Sequence, residues 1–160
     1  YNFEKLSGYK FSIECVEELV KKFPEQIVGV KDSSYNLFEN LKLDNFSVMP
    51  GSEAKLLKGL EHGCSGIITA TCNATSQLAR SVYDDFINNK DQLNNQKLID
   101  VRAAFEKYNL ISSLHTFFSK DDEIYKNLLP PLSLLNTSDE KQLMQDLKDL
   151  NFKSNSQQAA

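Results

Sequence analysis

The sequence predicts an α/β fold with parallel strands, and three observations predict it. Short apolar runs rich in β-branched residues stand at Ile27-Val28-Gly29-Val30, Phe46-Ser47-Val48-Met49 and Gly66-Ile67-Ile68-Thr69-Ala70-Thr71. Amphipathic stretches separate them, in units of roughly 20 to 25 residues. Parallel strands need crossover connections, and helices supply them. Either a doubly wound sheet or a (β/α)8 barrel meets that pattern. No Gly-x-Gly-x-x-Gly follows any of the runs, which lowers the dinucleotide-binding version.

The elements follow in order. Residues 1–8 read as the end of a strand and a loop. Ser12 can cap a helix whose apolar face is Ile13, Val16, Val20 and Phe23, with Pro24 beyond its end. The first β-branched run comes next. Residues 36–43 then read as a short helix with Leu37, Phe38 and Leu41 inward. The second run stops at Pro50-Gly51. Ser52 can cap the following helix, with Glu53 in its first turn, Leu56, Leu57 and Leu60 inward and Gly63 as left-handed terminator. The third run ends at Cys72-Asn73, and a helix follows with Leu78, Val82, Tyr83, Phe86 and Ile87 on one face. After Asn89 strand signals stop. Residues 91–118 read as one long helix with Leu98, Val101, Phe105 and Tyr108 as its stripe. Residues 120–129 read as another, ended by Pro130-Pro131. Thr137-Ser138-Asp139-Glu140 fits a capping box opening a last helix with Leu143, Met144, Leu147 and Leu150. Residues 1–90 are thus expected as the α/β part and 91–160 as a helical region.

Composition narrows the function classes. A hydrophobic content of 41% and a charged content of 25% over 160 residues suit a globular protein. A net charge of −4 argues against nucleic acid or an anionic membrane as partner. No apolar run approaches the roughly 20 residues that span a bilayer. Cys15, Cys64 and Cys72 lack metal-site spacing, so reduced thiols in a cytoplasm are expected, with no metal and no cofactor. The start at Tyr1, without methionine, suggests a fragment, a processed chain or a truncated gene. The polar end, residues 154–160, reads as a frayed natural terminus.

The chemistry centres on Ile27-Val28-Gly29-Val30-Lys31-Asp32-Ser33-Ser34. Alternation along a strand puts Ile27, Gly29 and Lys31 on one face and Val28 and Val30 on the other. Gly29 leaves space beside the lysine stem. Desolvation of a lysine favours the neutral amine, the nucleophile of a Schiff base. The octapeptide alone also fits a lysine that ends an edge strand and reaches water.

Four motifs in the same order resemble the C-terminal half of the dihydrodipicolinate synthase / N-acetylneuraminate lyase family of class I aldolases. Tyr1-Asn2-Phe3…Ser7-Gly8 is similar to the family's tyrosine motif at the end of the fifth barrel strand. Gly29-Val30-Lys31-Asp32-Ser33-Ser34 resembles the Schiff-base lysine motif on the sixth. Gly51-Ser52-Glu53 resembles the Gly-x-Asp/Glu segment after the seventh. Residues 63–73 resemble the eighth strand and its asparagine, and Pro130-Pro131-Leu132 fits the family's ending.

The resemblance implies a (β/α)8 barrel with a helical C-terminal region, usually a homotetramer, acting on pyruvate or another 2-oxo acid. It implies that Lys31 forms the Schiff base and that Tyr1 relays protons. It implies substrate-binding roles for Ser33, Gly51, Glu53 and Ile68. Read from the residues alone, Ser33 is also a turn former, Glu53 also favours a helix N-terminus, and Ile68 also suits a core. Asn73 reads as a cap or turn, and His62 and His115 as structural. The family's threonine-bearing Gly-x-x-Gly-Glu segment belongs upstream of Tyr1, so this polypeptide alone is expected to be inactive or poorly folded.

Three departures shape the substrate reading. The proline usual in the tyrosine motif is Glu4, and the glycine usual after the lysine motif is Tyr35. The arginine with which the synthases hold the second substrate's carboxylate falls near Leu6, which cannot do that work. Gly8-Tyr9-Lys10-Phe11-Ser12 is more similar to sugar-acid lyases. A retro-aldol lyase on a 2-keto-3-deoxy sugar acid or sialic-acid-like compound is therefore expected, with the synthase reaction as alternative. A non-catalytic fragment or degenerate barrel is the alternative of another class, and a flavodoxin-like binding module a weaker one.

Overall fold

A computed structural model describes residues 1–153, in two compact units. The polar run 154–160 lies outside the described residues. The first unit comprises Tyr1–Thr69 and Val82–Asp91; the second comprises Ala70–Ser81 and the residues from Gln92 on.

The first unit is organised by a parallel pair, β1 (Gly29–Asp32) and β2 (Ser47–Pro50), with Gly29 opposite Ser47 and Lys31 opposite Met49. Both strands begin and end one or two residues later than the apolar runs suggest, because the ladder follows pairing rather than hydrophobicity. Asn2 forms a parallel bridge to Asp32 on the outer side of β1. Gly29 is needed for this pairing: a Cβ there would lie 2.7 Å from the Ser47 carbonyl oxygen. The space beside Gly29 is thus taken by the neighbouring strand, not by the lysine stem. Val30 and Val48 are buried, whereas Val28 is exposed.

The third apolar run does not form a regular strand. Ser65 N–H donates to the Val48 carbonyl and Ile68 N–H to that of Pro50. The acceptors are two residues apart and the donors three, so one residue too many is present and the ladder breaks. Gly66, at φ 144°, absorbs that extra residue.

Around this sheet, α1 (Glu4–Ser7) turns what reads as a loop into one helical turn closed by Gly8 at φ 73°. In α2 (Ile13–Lys22), Ser12 caps the helix by accepting from Cys15 N–H, and Val16 is buried. Phe23 caps its C-terminus and is exposed. Residues 36–43 form turns, not a helix. The Asp32 carboxylate accepts from the N–H groups of Tyr35, Leu37 and Phe38, and the Asn40 and Leu41 N–H groups both donate to the Leu37 carbonyl, closing a single turn. Leu37, Phe38 and Leu41 are nevertheless buried and form the core with Val16, Val30, Val48 and Cys64. Ser52 accepts from Ala54 N–H at the start of a 3₁₀ turn, Glu53–Lys55, which leads into α3 (Leu56–Glu61). Gly63, at φ 83°, ends α3 in a Schellman arrangement: Cys64 N–H donates to the Gly59 carbonyl and Gly63 N–H to that of Leu60.

α4 (Cys72–Ile87) contributes residues 72–81 to the second unit and 82–87 to the first. Val82 is fully buried, while Ile87, expected inward, is exposed. In the second unit the expected single helix over 91–118 is two, α5 (Asn95–Glu106) and α6 (Leu110–Phe118). Asn109 breaks it: its ψ of 122° leaves the helical region, and its side chain caps α6 by accepting from Ile111 and Ser112 N–H. Residues 120–129 hold only a 3₁₀ turn, Glu123–Lys126, capped by Asp122. The last helix, α7 (Thr137–Asp149), is capped by Asn136 through Asp139 N–H, one residue before the expected Thr137. The core of this unit joins Ala74, Val101, Ala104, Phe105, Leu114, Phe117, Leu143, Leu147 and Phe152.

Candidate active site

The carboxyl end of β1 places the predicted residues. Lys31 is half-buried, and its Nζ lies 4.3 Å from the centroid of the Tyr1 ring. The lysine stem packs against the phenol face, and a ring's quadrupole attracts a cation placed over it. The Tyr1 hydroxyl is 3.3 Å from Ser33 Oγ, and the Tyr1 ring lies 5.5 Å from that of Phe3. Gly51 packs directly on Ser33: a Cβ at 51 would stand 2.0 Å from Ser33 Oγ. Gly51 N–H also donates to the Asp32 carbonyl at 2.9 Å. Tyr1, Lys31, Ser33 and Gly51 are therefore brought together. Such a cluster sets an amine beside a phenol, two groups able to add to a carbonyl and to move protons.

Glu53 and Ile68 stand differently. Glu53 is fully buried, and Thr69 Oγ1 donates to its Oε1 at 2.6 Å. Ile68 is exposed, and its N–H is spent on the Pro50 carbonyl at 3.2 Å. Asn73, in the second unit, donates through Nδ2 to the Ala70 carbonyl at 2.8 Å, a turn role. His62 stacks on Phe38 and sits 3.9 Å from Glu39; His115 places Nδ1 2.7 Å from the Tyr125 carbonyl. Burial pushes the Cys64 thiol up, so it stays protonated against the Phe38 carbonyl. Among the described residues no cluster of His, Cys, Asp and Glu has the makings of a metal site. Nor is any helix among them long and apolar enough to cross a membrane.

Two residues at the site escape a reading of the sequence: Asn2 and Asp32, both fully buried. Asn2 Nδ2 donates to Asp32 Oδ1 and to Asn36 Oδ1, each at 2.8 Å, and its Oδ1 accepts from Phe11 N–H at 3.0 Å. Asp32 ends the strand and gathers the turn that follows. The available signal was an aspartate ahead of Ser-Ser-Tyr-Asn, a pattern in which side chains cap nearby backbone N–H groups.

The sequence departures have local causes. Glu4 N–H donates to Ser34 Oγ at 2.9 Å, a bond a proline could not make. Tyr35 sits at φ 58°, the left-handed conformation glycine adopts without strain, while its ring packs edge-on to Phe38. Leu6 lies on α1 and is 75% exposed, an apolar side chain with no group to bind a carboxylate.

The profile of the Dihydrodipicolinate synthetase family matches residues 1–150. A Picrophilus torridus protein named 2-dehydro-3-deoxy-D-gluconate/2-dehydro-3-deoxy-phosphogluconate aldolase is 29% identical over 140 residues, covering 82% of this chain and 52% of its own. The dihydrodipicolinate synthase of Agrobacterium tumefaciens superposes with a TM-score of 0.78 at 23% identity, over 94% of this chain and 52% of its own. YagE of E. coli K12, solved in complex with pyruvate, gives 0.77 at 21% identity, over 96% of this chain and 55% of its own. At these identities the superpositions speak for the fold, that of a partial (β/α)8 barrel. The chain spans about half the length of the curated relatives it matches.

Proposed function

The chain belongs to the dihydrodipicolinate synthetase family of aldolases and lyases, and from that premise we propose that it supplies the Schiff-base lysine and the proton-relay tyrosine of a pyruvate-dependent lyase. The observation that carries the proposal is the Lys31 amine set 4.3 Å over the Tyr1 ring at the end of β1. In this reading Lys31 adds to the ketone carbon of a 2-oxo acid and water leaves, giving an iminium. Tyr1 takes the proton of the hydroxyl on the carbon that departs. That carbon becomes an aldehyde, and the electron pair of the broken C–C bond flows to the iminium nitrogen, leaving an enamine. Protonation of the enamine carbon and hydrolysis release pyruvate and restore Lys31. Ser33, bonded to Tyr1, holds the phenol and a substrate hydroxyl. Gly51 keeps room for Ser33. Glu53 acts through Thr69, and Ile68 lines the pocket wall.

The substrate we favour is a 2-keto-3-deoxy sugar acid, as named for the Picrophilus torridus relative. The apolar Leu6 supports this over the synthase, whose second substrate brings a carboxylate. We further propose that residues 1–90 form the C-terminal half of the barrel and 91–160 its helical appendage. In this reading the full-length protein is a cytoplasmic homotetramer, and this stretch by itself is inactive.

The test is pyruvate release by the full-length protein from 2-dehydro-3-deoxy-D-gluconate. Lys31→Ala should abolish it, and Tyr1→Phe should slow kcat by about 10²- to 10⁴-fold. Turnover of aspartate semialdehyde with pyruvate in its place would support the synthase alternative. No turnover of either substrate by an intact tetramer would support a degenerate barrel.

A further inference from the structure

We infer that Asn2 and Asp32 form a positioning clamp that holds Tyr1 in register over Lys31, so that Asn2 governs proton transfer without governing iminium formation. The inference rests on the Schiff-base reading above. Asn2 adjoins Tyr1 in the chain, and Asp32 adjoins Lys31. The two pairs face opposite ways from adjacent parallel segments, as alternation requires. Asn2 and Asp32 point inward and are fully buried; Tyr1 and Lys31 point to the other face, where Tyr1 is 55% exposed.

Every polar group of Asn2 is engaged. Its N–H donates to the Lys31 carbonyl and its carbonyl accepts from Ser33 N–H, both at 2.9 Å, so the two bonds straddle Asp32. Its amide nitrogen bonds Asp32 Oδ1 and Asn36 Oδ1, and its amide oxygen takes Phe11 N–H. Both Asp32 oxygens are in turn saturated by Tyr35, Leu37 and Phe38 N–H. The inward pair is therefore a dry, fully satisfied network of the kind that fixes one arrangement. The outward pair is held more loosely: the amine over the Tyr1 ring, the Tyr1 ring beside that of Phe3, and the exposed 3.3 Å Tyr1–Ser33 bond. Register on the outer face must come from the inner one.

The functions separate cleanly. Lys31 is carried by β1 itself, which Ser47 and Gly51 also hold through Val28 and Asp32 carbonyls. Tyr1 has no such second strand among the described residues, and depends on Asn2. When the Tyr1 oxygen, its own proton passed through Ser33 Oγ to solvent, takes a proton from the methyl carbon of the pyruvate iminium, the C–H pair forms the C2=C3 bond and the C=N pair moves to nitrogen. In D2O the enamine takes a deuteron back from the same phenol. Exchange at that carbon therefore reads the position of Tyr1, whereas borohydride trapping reads Lys31.

The experiment uses the full-length protein and measures both deuterium exchange of pyruvate by NMR and the trapped adduct at Lys31 by mass spectrometry. In Asn2→Ala, exchange should slow about 10- to 100-fold, the cost of a misplacement near 1 Å, while adduct yield stays close to wild type. Asn36→Ala, which removes one acceptor at the rim of the network, should slow exchange less, again with the adduct retained, and it serves if Asn2→Ala does not fold. Leu147→Ala, a change in the core of the second unit, should leave the ratio of the two readouts unchanged. Equal falls in exchange and adduct, or unaltered exchange in a folded Asn2 or Asn36 variant, would overturn the clamp alone. No adduct at Lys31 in the wild type would overturn the Schiff-base reading and the clamp with it.

Discussion

Gly51→Ala tests how closely the site is packed. The new Cβ would lie 2.0 Å from Ser33 Oγ, 3.0 Å from Ser33 Cβ and 3.3 Å from Ser33 Cα. Carbon atoms in contact prefer about 3.5 to 4.0 Å. Rotating Ser33 about χ1 removes the first clash and leaves the other two. The backbone cannot simply withdraw, because Gly51 N–H is tied to the Asp32 carbonyl at 2.9 Å. Overpacking of this kind costs about 1 to 3 kcal/mol. Moving Ser33 also removes its exposed bond to the Tyr1 hydroxyl, worth about 0.5 kcal/mol at the low end of the range. Urea unfolding of the full-length protein would measure Gly51→Ala, Ser33→Gly and the pair as a double-mutant cycle. The double variant should recover about 1 kcal/mol or more of the loss, since Ser33→Gly removes both clashing side-chain atoms. A Gly51→Ala cost below about 0.5 kcal/mol, the scatter of neutral surface changes, would refute the reasoning. So would a cycle with no coupling.

Two further predictions concern the second unit. Asn109→Ala removes the cap that separates α5 from α6 and should cost about 1 kcal/mol by urea unfolding, against no measurable change at exposed, uncapped Leu93. The hydrogen bond from Lys107 at 2.8 Å, helped by Gln142, holds the Asp146 carboxyl below the ordinary aspartate value. A depressed folded value means stability that is complete above the ordinary value and lost as pH falls from there through the lower folded value. The urea midpoint should therefore drop from about pH 5 downward, and Lys107→Met should make that drop shallower.

Legibility in the sequence followed the range of the interactions. Ser12, Ser52 and Gly63 act on their own helices, within a few residues, and each does what its position suggests. The places of Lys31 in β1 and of Gly51 just beyond β2 follow from the apolar runs that precede them. The failures come from side chains that act on the backbone across a turn or between strands. Asp32 gathers residues 35–38 into a turn by accepting three of their N–H groups, where a helix over 36–43 is expected from the pattern. Asn109, unremarkable by type, splits a helix that the Leu98-to-Tyr108 stripe makes look continuous. The extra residue at Gly66 shows only against β2, because register is a property of two segments. Asn2 is hidden for the same reason: its partners lie some thirty positions away, at Asp32 and Asn36.

The most direct measurement incubates the full-length protein with pyruvate and borohydride and maps the modified peptide by mass spectrometry. The account predicts one reduced adduct, on the peptide carrying Lys31, and none in Lys31→Ala. An adduct on Lys55, or no adduct on an otherwise native protein, would contradict it.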